Sequence, residues 1–181
     1  MLRLVFSPFP FLKTEQLILR QLTINDANDI LKLRSDKKVN EFIDRPKTID
    51  LTSARKFIEK IDKGIKENEW IYWAISLKGN DTLIGTICFW NIVPEKDMAE
   101  TGYELFPEFQ GKGLMQEAFA QIIDFGFHKM NLKIITAFTH PDNDRSKRLL
   151  EKNNFQQDKD HRFASKEDAI DQSVYYLQQP F

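Results

Sequence analysis

The apolar positions of this chain recur with two periods, and each change of period marks a boundary between predicted elements. Gln16 to Gln21 alternates around Leu17-Ile18-Leu19-Arg20, which predicts a first strand. Ala27, Ile30, Leu31 and Arg34 then fall at helical spacing, three of them apolar, behind Thr23 or Asn25 as a cap. Val39 to Ile43 is expected to add a short turn before Pro46 breaks the chain. Asp50 is placed to cap a longer helix running to about Asn68, with Leu51, Ala54, Phe57, Ile58, Ile61 and Ile65 on one stripe. Glu69 to Ser76 and Thr82 to Ile92 are aromatic and β-branched, and Lys78-Gly79-Asn80-Asp81 between them predicts the turn of an antiparallel hairpin.

Met98 to Phe106 reads as a further strand, followed by a turn holding Gly111 and Gly113 and a helix to about Met130. In that helix Leu114, Ala118, Ile122 and Phe125 share a face that Phe119 and Ile123 widen, so it is expected to pack on a sheet. Leu132 to Thr139 is β-rich without alternation, as suits a strand covered on both sides and parallel to 98–106. Such strand-helix-strand units cross over with the right hand and bind ligands at the carboxyl ends of their strands, where Gln110 to Met115 lies. Pro141-Asp142-Asn143 starts a helix through Lys152 with Leu149 and Leu150 inward, and Asn153-Asn154 suits a left-handed stop. Arg162-Phe163 and Val174 to Leu177 are read as the last strands.

Composition narrows the class. With 181 residues, 41% of them apolar and 15 of them Phe, the chain is expected to form one domain, residues 1–181, with a well-filled core. A formal charge of −1 argues against a dedicated nucleic-acid binder. Cys88 is the sole cysteine and, within Ile87-Cys88-Phe89-Trp90, reads as a small buried hydrophobe, in keeping with a reducing cytoplasm. Pro8 and Pro10 interrupt the apolar opening and no small-residue cleavage site follows, so no signal peptide is expected. No apolar run approaches the roughly 20 residues that cross a bilayer. His128, His140 and His161 lack metal-ligand spacing, so no metal is assigned.

The turn is the candidate chemistry. Gly111 and Gly113 leave room for a ligand, and the helix start beyond them offers unpaired N–H groups and partial positive charge, a nest suited to phosphate. A P-loop fails, because Gly113 rather than Ser or Thr follows Lys112. The dinucleotide fingerprint fails as well, with Gln116 where the third glycine belongs and no acid at the end of the next strand.

Glu100-Thr-Gly-Tyr-Glu-Leu with Pro107-Glu-Phe-Gln-Gly-Lys-Gly-Leu-Met-Gln-Glu-Ala resembles the acetyl-CoA signature of the GCN5-related N-acetyltransferases (GNAT), in particular the branch acetylating ribosomal-protein N-termini. Against the family pattern Gln/Arg-x-x-Gly-x-Gly/Ala, Gln110 and Gly113 match and Met115 replaces the last small residue. The resemblance continues at Asn143-Asp-Arg-Ser146 with its leucine pair and Asn154-Phe155, and at Thr14 to Arg20 and the Trp73 to Gly85 hairpin. It implies a single-domain α/β (α+β) GNAT-like fold, a mixed central sheet of about seven strands flanked by about four helices.

It further implies acetyl-CoA as cosubstrate, with the backbone of Gln110, Gly111, Lys112, Gly113, Leu114 and Met115 on the pyrophosphate and Asn143 on the pantetheine arm, where it also suits a helix cap. Ser146 is carried over from the branch as proton donor to the thiolate; the Tyr that many relatives use further along this helix is Leu150 here. Period two puts Glu100, Gly102 and Glu104 on one strand face and Thr101, Tyr103 and Leu105 on the other, and either glutamate is a candidate base. An α-amine of pKa about 7.8 is already roughly a quarter neutral near pH 7.4, against about one part in a thousand for lysine, so a weak base suffices for it.

The expected partner is an amine-bearing acceptor, first a protein or peptide N-terminus. Polyamine or aminoglycoside acetylation, with Glu41, Asp44, Glu95 and Asp97 lining an acidic cleft, is the second enzyme reading, and a non-catalytic CoA-binding sensor, supported by Met115 and by the unassigned base, is the third. No membrane or nucleic-acid partner is expected, and the chain is read as a cytoplasmic monomer or homodimer.

Overall fold

A computed structural model describes residues 1–46, 50–164 and 170–179 of the chain. The elements run β1 (Leu12–Lys13), β2 (Leu17–Gln21), α1 (Ala27–Ser35), α2 (Leu51–Lys66), β3 (Ile71–Leu77), β4 (Leu83–Val93), β5 (Met98–Leu105), α3 (Leu114–His128), β6 (Ile134–Thr139), α4 (Asp144–Lys152), β7 (Gln156–Gln157) and β8 (Ser173–Gln178). The strands form one mixed eight-stranded sheet in the order β1-β2-β3-β4-β5-β6-β8-β7. Among the described residues only β5 and β6 pair in parallel; every other pair is antiparallel.

Local chemistry sets most boundaries. Thr23 N–H donates to Asp26 Oδ2 at 2.7 Å and opens a 3₁₀ turn, Ile24–Asp26, that feeds α1. Asp50 caps α2 by accepting from Ser53 N at 2.7 Å. Left-handed Asn68 (φ 57°) ends α2, and Glu69 N–H is taken by Gly64 carbonyl at 2.8 Å, so β3 begins later than residue composition alone predicts. Gly79 at φ 81° makes the expected hairpin turn, and Asn154 at φ 64° the expected left-handed stop after α4.

Two readings change. Arg162 and Phe163 form no strand: their N–H groups donate to Asp158 Oδ1 at 3.0 Å and Oδ2 at 2.9 Å, so a carboxylate consumes the donors a ladder would need. The partner of β8 on that side is β7 instead. At the other sheet edge, β1 is a two-residue strand that exists only through its pairing with β2.

The sheet has two differently covered faces. One carries Trp73, Ile87, Phe89 and Tyr103 beneath α3, with Trp73 packed edge-on to Phe125 and Phe119 edge-on to Tyr103. Trp73 Nε1 donates to Pro10 carbonyl at 2.9 Å and pins the N-terminal segment to this side. The other face carries Tyr72, Thr86, Cys88 and Glu104 beneath α1 and α2, with Phe57 edge-on to Tyr72.

β5 and β6 share only the rungs Met98↔Ile134, Ala99↔Ile135 and Glu100↔Thr136. Beyond Glu100, β5 follows β4 as far as the pair Gly85↔Leu105, whereas β6 follows β8 as far as Thr139↔Ser173. The sheet therefore opens as a wedge toward the carboxyl ends of both strands, with unpaired backbone on its two inner edges.

Gly85 sets how closely β4 holds the far end of β5. It lies where the β3–β4 register shifts, and a Cβ there would sit 2.4 Å from the Glu104 carbonyl oxygen. Gly85→Ala should therefore destabilise the fold by about 1–3 kcal/mol and displace Glu104. Thermal unfolding should show a fall of several degrees, and an unchanged Tm would remove the steric argument.

Candidate active site

The mouth of the wedge is closed on one side by the segment joining β5 to α3. Pro107–Phe109 makes a 3₁₀ turn, and Gln110 Nε2 donates back to Leu105 carbonyl at 2.8 Å, so the turn is tied to the end of β5. Gly111 and Gly113 take φ of 74° and 78°, the left-handed region in which a Cβ is strained, and neither has a heavy atom within 4 Å of where that Cβ would stand. The backbone conformation calls for glycine here, and the space beside the turn is open. Gly113 is the N-cap of α3, and the first intrahelical donor is Glu117 N–H, to Gly113 carbonyl at 3.0 Å. The N–H groups of Leu114, Met115 and Gln116 precede that ladder and face the turn.

Leu114 is buried and Met115 is partly buried, its side chain packed against the hydrophobic core, so the pair anchors the start of α3. Lys112 is exposed, its Nζ 5.7 Å from the centroid of the Phe109 ring. Reciprocal amide bonds between Gln116 and Asn153, at 2.9 and 3.1 Å, lock the first turn of α3 to the end of α4. Arg145 Nη1 donates to Gln110 Oε1 at 2.9 Å and joins the first turn of α4 to the glycine turn.

Asn143 is the N-cap of α4, its Oδ1 accepting from Ser146 N at 3.1 Å, which leaves its amide NH₂ to other partners. Ser146 is buried, and its hydroxyl lies 2.7 Å from Tyr103 OH. This contact joins α4 to β5 across the helix-covered face of the wedge. Sequence reasoning assigned Tyr103 no role: the two residues stand 43 positions apart, and no spacing rule connects them. Burial pushes the Tyr103 phenol up to about 12 against the opposing pull of the Ser146 hydrogen bond, so it remains a neutral proton donor at physiological pH.

The glutamates occupy the opposite face, as alternation predicts. Glu104 is buried and lies opposite Thr86. Its Oε2 is 2.7 Å from Arg45 Nη1, while Oε1 accepts from Thr86 Oγ1 at 3.3 Å, and Thr86 in turn accepts from Tyr72 OH at 3.0 Å. Glu100 stands at the vertex of the wedge, on the last parallel rung, and accepts from Asn91 Nδ2 at 3.3 Å. Arg45 was not singled out in the sequence, since a charged residue before Pro46 in a loop is ordinarily solvated. That same loop stacks Phe42 on His140 at 5.3 Å, so it reaches both β5 and the end of β6.

Of the four acids suggested for an acidic cleft, Glu41 and Asp44 lie in the loop that carries Arg45. Asp97 pairs with Lys133 at 3.0 Å, and Glu41, Asp44 and Glu95 are exposed. Cys88 is buried and free, and burial pushes its thiol up to about 12, so it offers no thiolate. Among the described residues, no group of three or more His, Cys, Asp or Glu is placed to hold a metal ion, and no helix is long and apolar enough to cross a membrane.

Residues 16–156 match the acetyltransferase (GNAT) domain family. The chain is 33% identical over 150 residues to the uncharacterised N-acetyltransferase YoaA of Bacillus subtilis, covering 83% of this chain and 85% of that protein. Among solved structures, a ribosomal-protein-S5-alanine acetyltransferase from Vibrio fischeri superposes with a TM-score of 0.79 at 22% identity, over 94% of this chain and 100% of the other. RimL, a ribosomal L7/L12 alpha-N-protein acetyltransferase in complex with coenzyme A, gives 0.80 at 18% identity, over 93% and 98%.

The Tyr103 environment generates a pH prediction. A phenol whose folded pKa lies above its ordinary value of 10.0 stabilises the fold fully below pH 10, and that contribution is lost as pH rises toward about 12. Tyr103→Phe should therefore flatten the decline in unfolding free energy across that window, measured by denaturant titration. An identical slope in the variant would mean Tyr103 is not held as described.

Proposed function

The chain belongs to the GNAT family and is an acetyl-CoA-dependent N-acetyltransferase, and from that premise we propose that its acceptor is a protein or peptide N-terminal α-amine, attacked directly in a ternary complex. The observation that carries this reading is the state of the two candidate bases. Glu104 is engaged by Arg45 and Glu100 accepts from Asn91, so neither stands as an isolated carboxylate. An α-amine, already partly neutral at physiological pH, makes the smaller demand on such a base, whereas a lysine side chain of pKa about 10.4 makes a far larger one. The alpha-N-protein activity named for RimL, which has the same fold, is consistent with this choice.

When bound, acetyl-CoA supplies a thioester, an electrophilic acetyl carbon with a thiolate as leaving group. The turn from Gln110 to Met115 suits its pyrophosphate: glycines at positive φ leave open space, and the N–H groups that start α3 point charge-complementary dipoles there. Lys112 adds mobile positive charge beside them. Asn143, with Oδ1 committed to its helix, offers its amide NH₂ to the pantetheine arm. On the glutamate face, Glu104 receives the amine proton, directly or through water, with Glu100 at the vertex as the other candidate. On the opposite face Ser146 Oγ is the proton donor at the leaving-group end, oriented by Tyr103 OH 2.7 Å away, and it regains its proton from solvent as Glu104 loses the amine proton there.

Polyamine and aminoglycoside acceptors fit less well. The proposed acceptor face carries Arg34 and Arg45 beside Glu104, and positive charge there opposes a polycation. The match to N-acetyltransferases stands against a non-catalytic sensor.

Free thiol release should reveal turnover with α-amine peptides and little with lysine-side-chain peptides, polyamines or aminoglycosides; a preference for lysine side chains would sink the N-terminal reading. Ser146→Ala should lower kcat by about 100-fold or more with little change in acetyl-CoA affinity, and an unaltered rate would take Ser146 out of the mechanism. Gly113→Asp should weaken acetyl-CoA binding in calorimetry more than Gly113→Ala does, because both strain the left-handed turn and only Asp adds like charge. Equal losses would leave strain alone as the cause.

A further inference from the structure

Arg45 is held against the candidate base, its Nη1 2.7 Å from Glu104 Oε2. The loop that carries it is tied to α1 by Asn40, whose Nδ2 donates to Arg34 carbonyl at 2.9 Å and to Asp36 carbonyl at 2.7 Å. Asp36 Oδ1 in turn accepts from the N–H groups of Lys38 and Val39 at 2.8 and 2.9 Å. The same Asn40 accepts from Arg45 Nε through Oδ1 at 2.8 Å. The guanidinium is thus oriented by a hydrogen-bonded loop before any acceptor arrives.

Its remaining donors are incompletely used. Nη1 lies 2.7 Å from Glu104 Oε2, yet that oxygen has no aligned hydrogen bond, so the contact is a short charge pair rather than the two-pronged fork that arginine makes with carboxylates at its best. Nη2 is buried and has no hydrogen-bond partner. A buried N–H left without an acceptor costs free energy, and a guanidinium joined to its partner by charge alone can turn toward a better one. Arg34 adds to the field: its guanidinium, 4.0 Å from the centroid of the Phe57 ring, has its pKa lowered by burial first and by the charge of Arg45 second. Arg45 and Arg34 place positive charge beside Glu104 on the face that also carries Glu100 at the vertex, so the attraction for an anion is local to the Arg45 guanidinium.

We infer that Arg45 is the docking point for an anionic group carried by the acceptor close to its amine, and that the acceptor so recognised is a peptide N-terminus with an Asp or Glu at its first or second position. The inference deepens the N-terminal reading and rests on it. Because Arg45 touches the candidate base itself, the anion it binds must lie within a few ångströms of the amine. The incoming carboxylate takes the fork offered by Nη1 and Nη2, and Glu104, released from Arg45, keeps Thr86 and turns its other oxygen to the amine proton. Selection and activation of the base become one event. A neutral N-terminus leaves Nη2 unsatisfied and Glu104 paired.

Matched peptides that differ only by Asp against Asn, or Glu against Gln, at position one or two test this with the full wild-type chain and acetyl-CoA. The acidic member should show a kcat/KM higher by about 10- to 100-fold, carried mainly by KM and shrinking with added salt. Arg45→Gln should abolish the difference and Arg45→Lys should keep part of it; calorimetry of the same peptides on the CoA-bound protein should give the same order in Kd. Equal efficiency for acidic and neutral peptides in the wild type overturns the inference without any variant. A preference that survives Arg45→Gln overturns the assignment to Arg45. Failure of the N-terminal reading is told apart with small amines: aspartate against asparagine, and aminoethylphosphonate against ethanolamine. If every peptide is inert while the anionic small amines are acetylated in an Arg45-dependent way, the peptide acceptor is refuted and the anion site at Arg45 stands.

Discussion

β5 and β6 share hydrogen bonds only between Met98–Glu100 and Ile134–Thr136, and a sheet that would otherwise be continuous divides there into a wedge. Each strand keeps its outer partner, so separation leaves both inner edges without a ladder while the rest of the sheet stays intact. Unpaired backbone inside a protein is costly unless something meets it. The opening therefore serves as a slot between helices on one face and helices on the other, and it gives every residue of the site its place.

Chemistry is divided between the two faces by strand alternation. Tyr103 and Glu104 are neighbours in sequence, yet one meets Ser146 on α4 and the other meets Arg45 from the loop after α1. A hydroxyl pair on one side suits protonation of a leaving group. A carboxylate with a cation on the other suits selection and deprotonation of an amine. The glycine turn sits at the mouth, held by Gln110 to β5 and by Arg145 to α4, so the anion cradle is positioned by the elements that also carry the proposed catalytic side chains.

Much of this was legible in the chain. Wide apolar faces on the helices, the Gly79 hairpin and the unbroken β-rich run before Thr139 predicted the sheet and its parallel pair, because burial periodicity is a local property. What misled was also local: Arg162-Phe163 looks like a strand, but the donors that would build it are taken by Asp158.

By itself the sequence determined most of the elements, though not the short edge strands β1 and β7, together with the glycine turn and its helix start and the assignment of Glu100 and Glu104 to one strand face and Tyr103 to the other, since these follow from local periodicity, the conformational limits of glycine or the geometry of a strand. Only the tertiary structure decided what those residues meet. Tyr103 finds Ser146 and Glu104 finds Arg45 across long stretches of chain, through the packing of helices and one loop on a divided sheet. No local pattern encodes such contacts, because they depend on where the strands part.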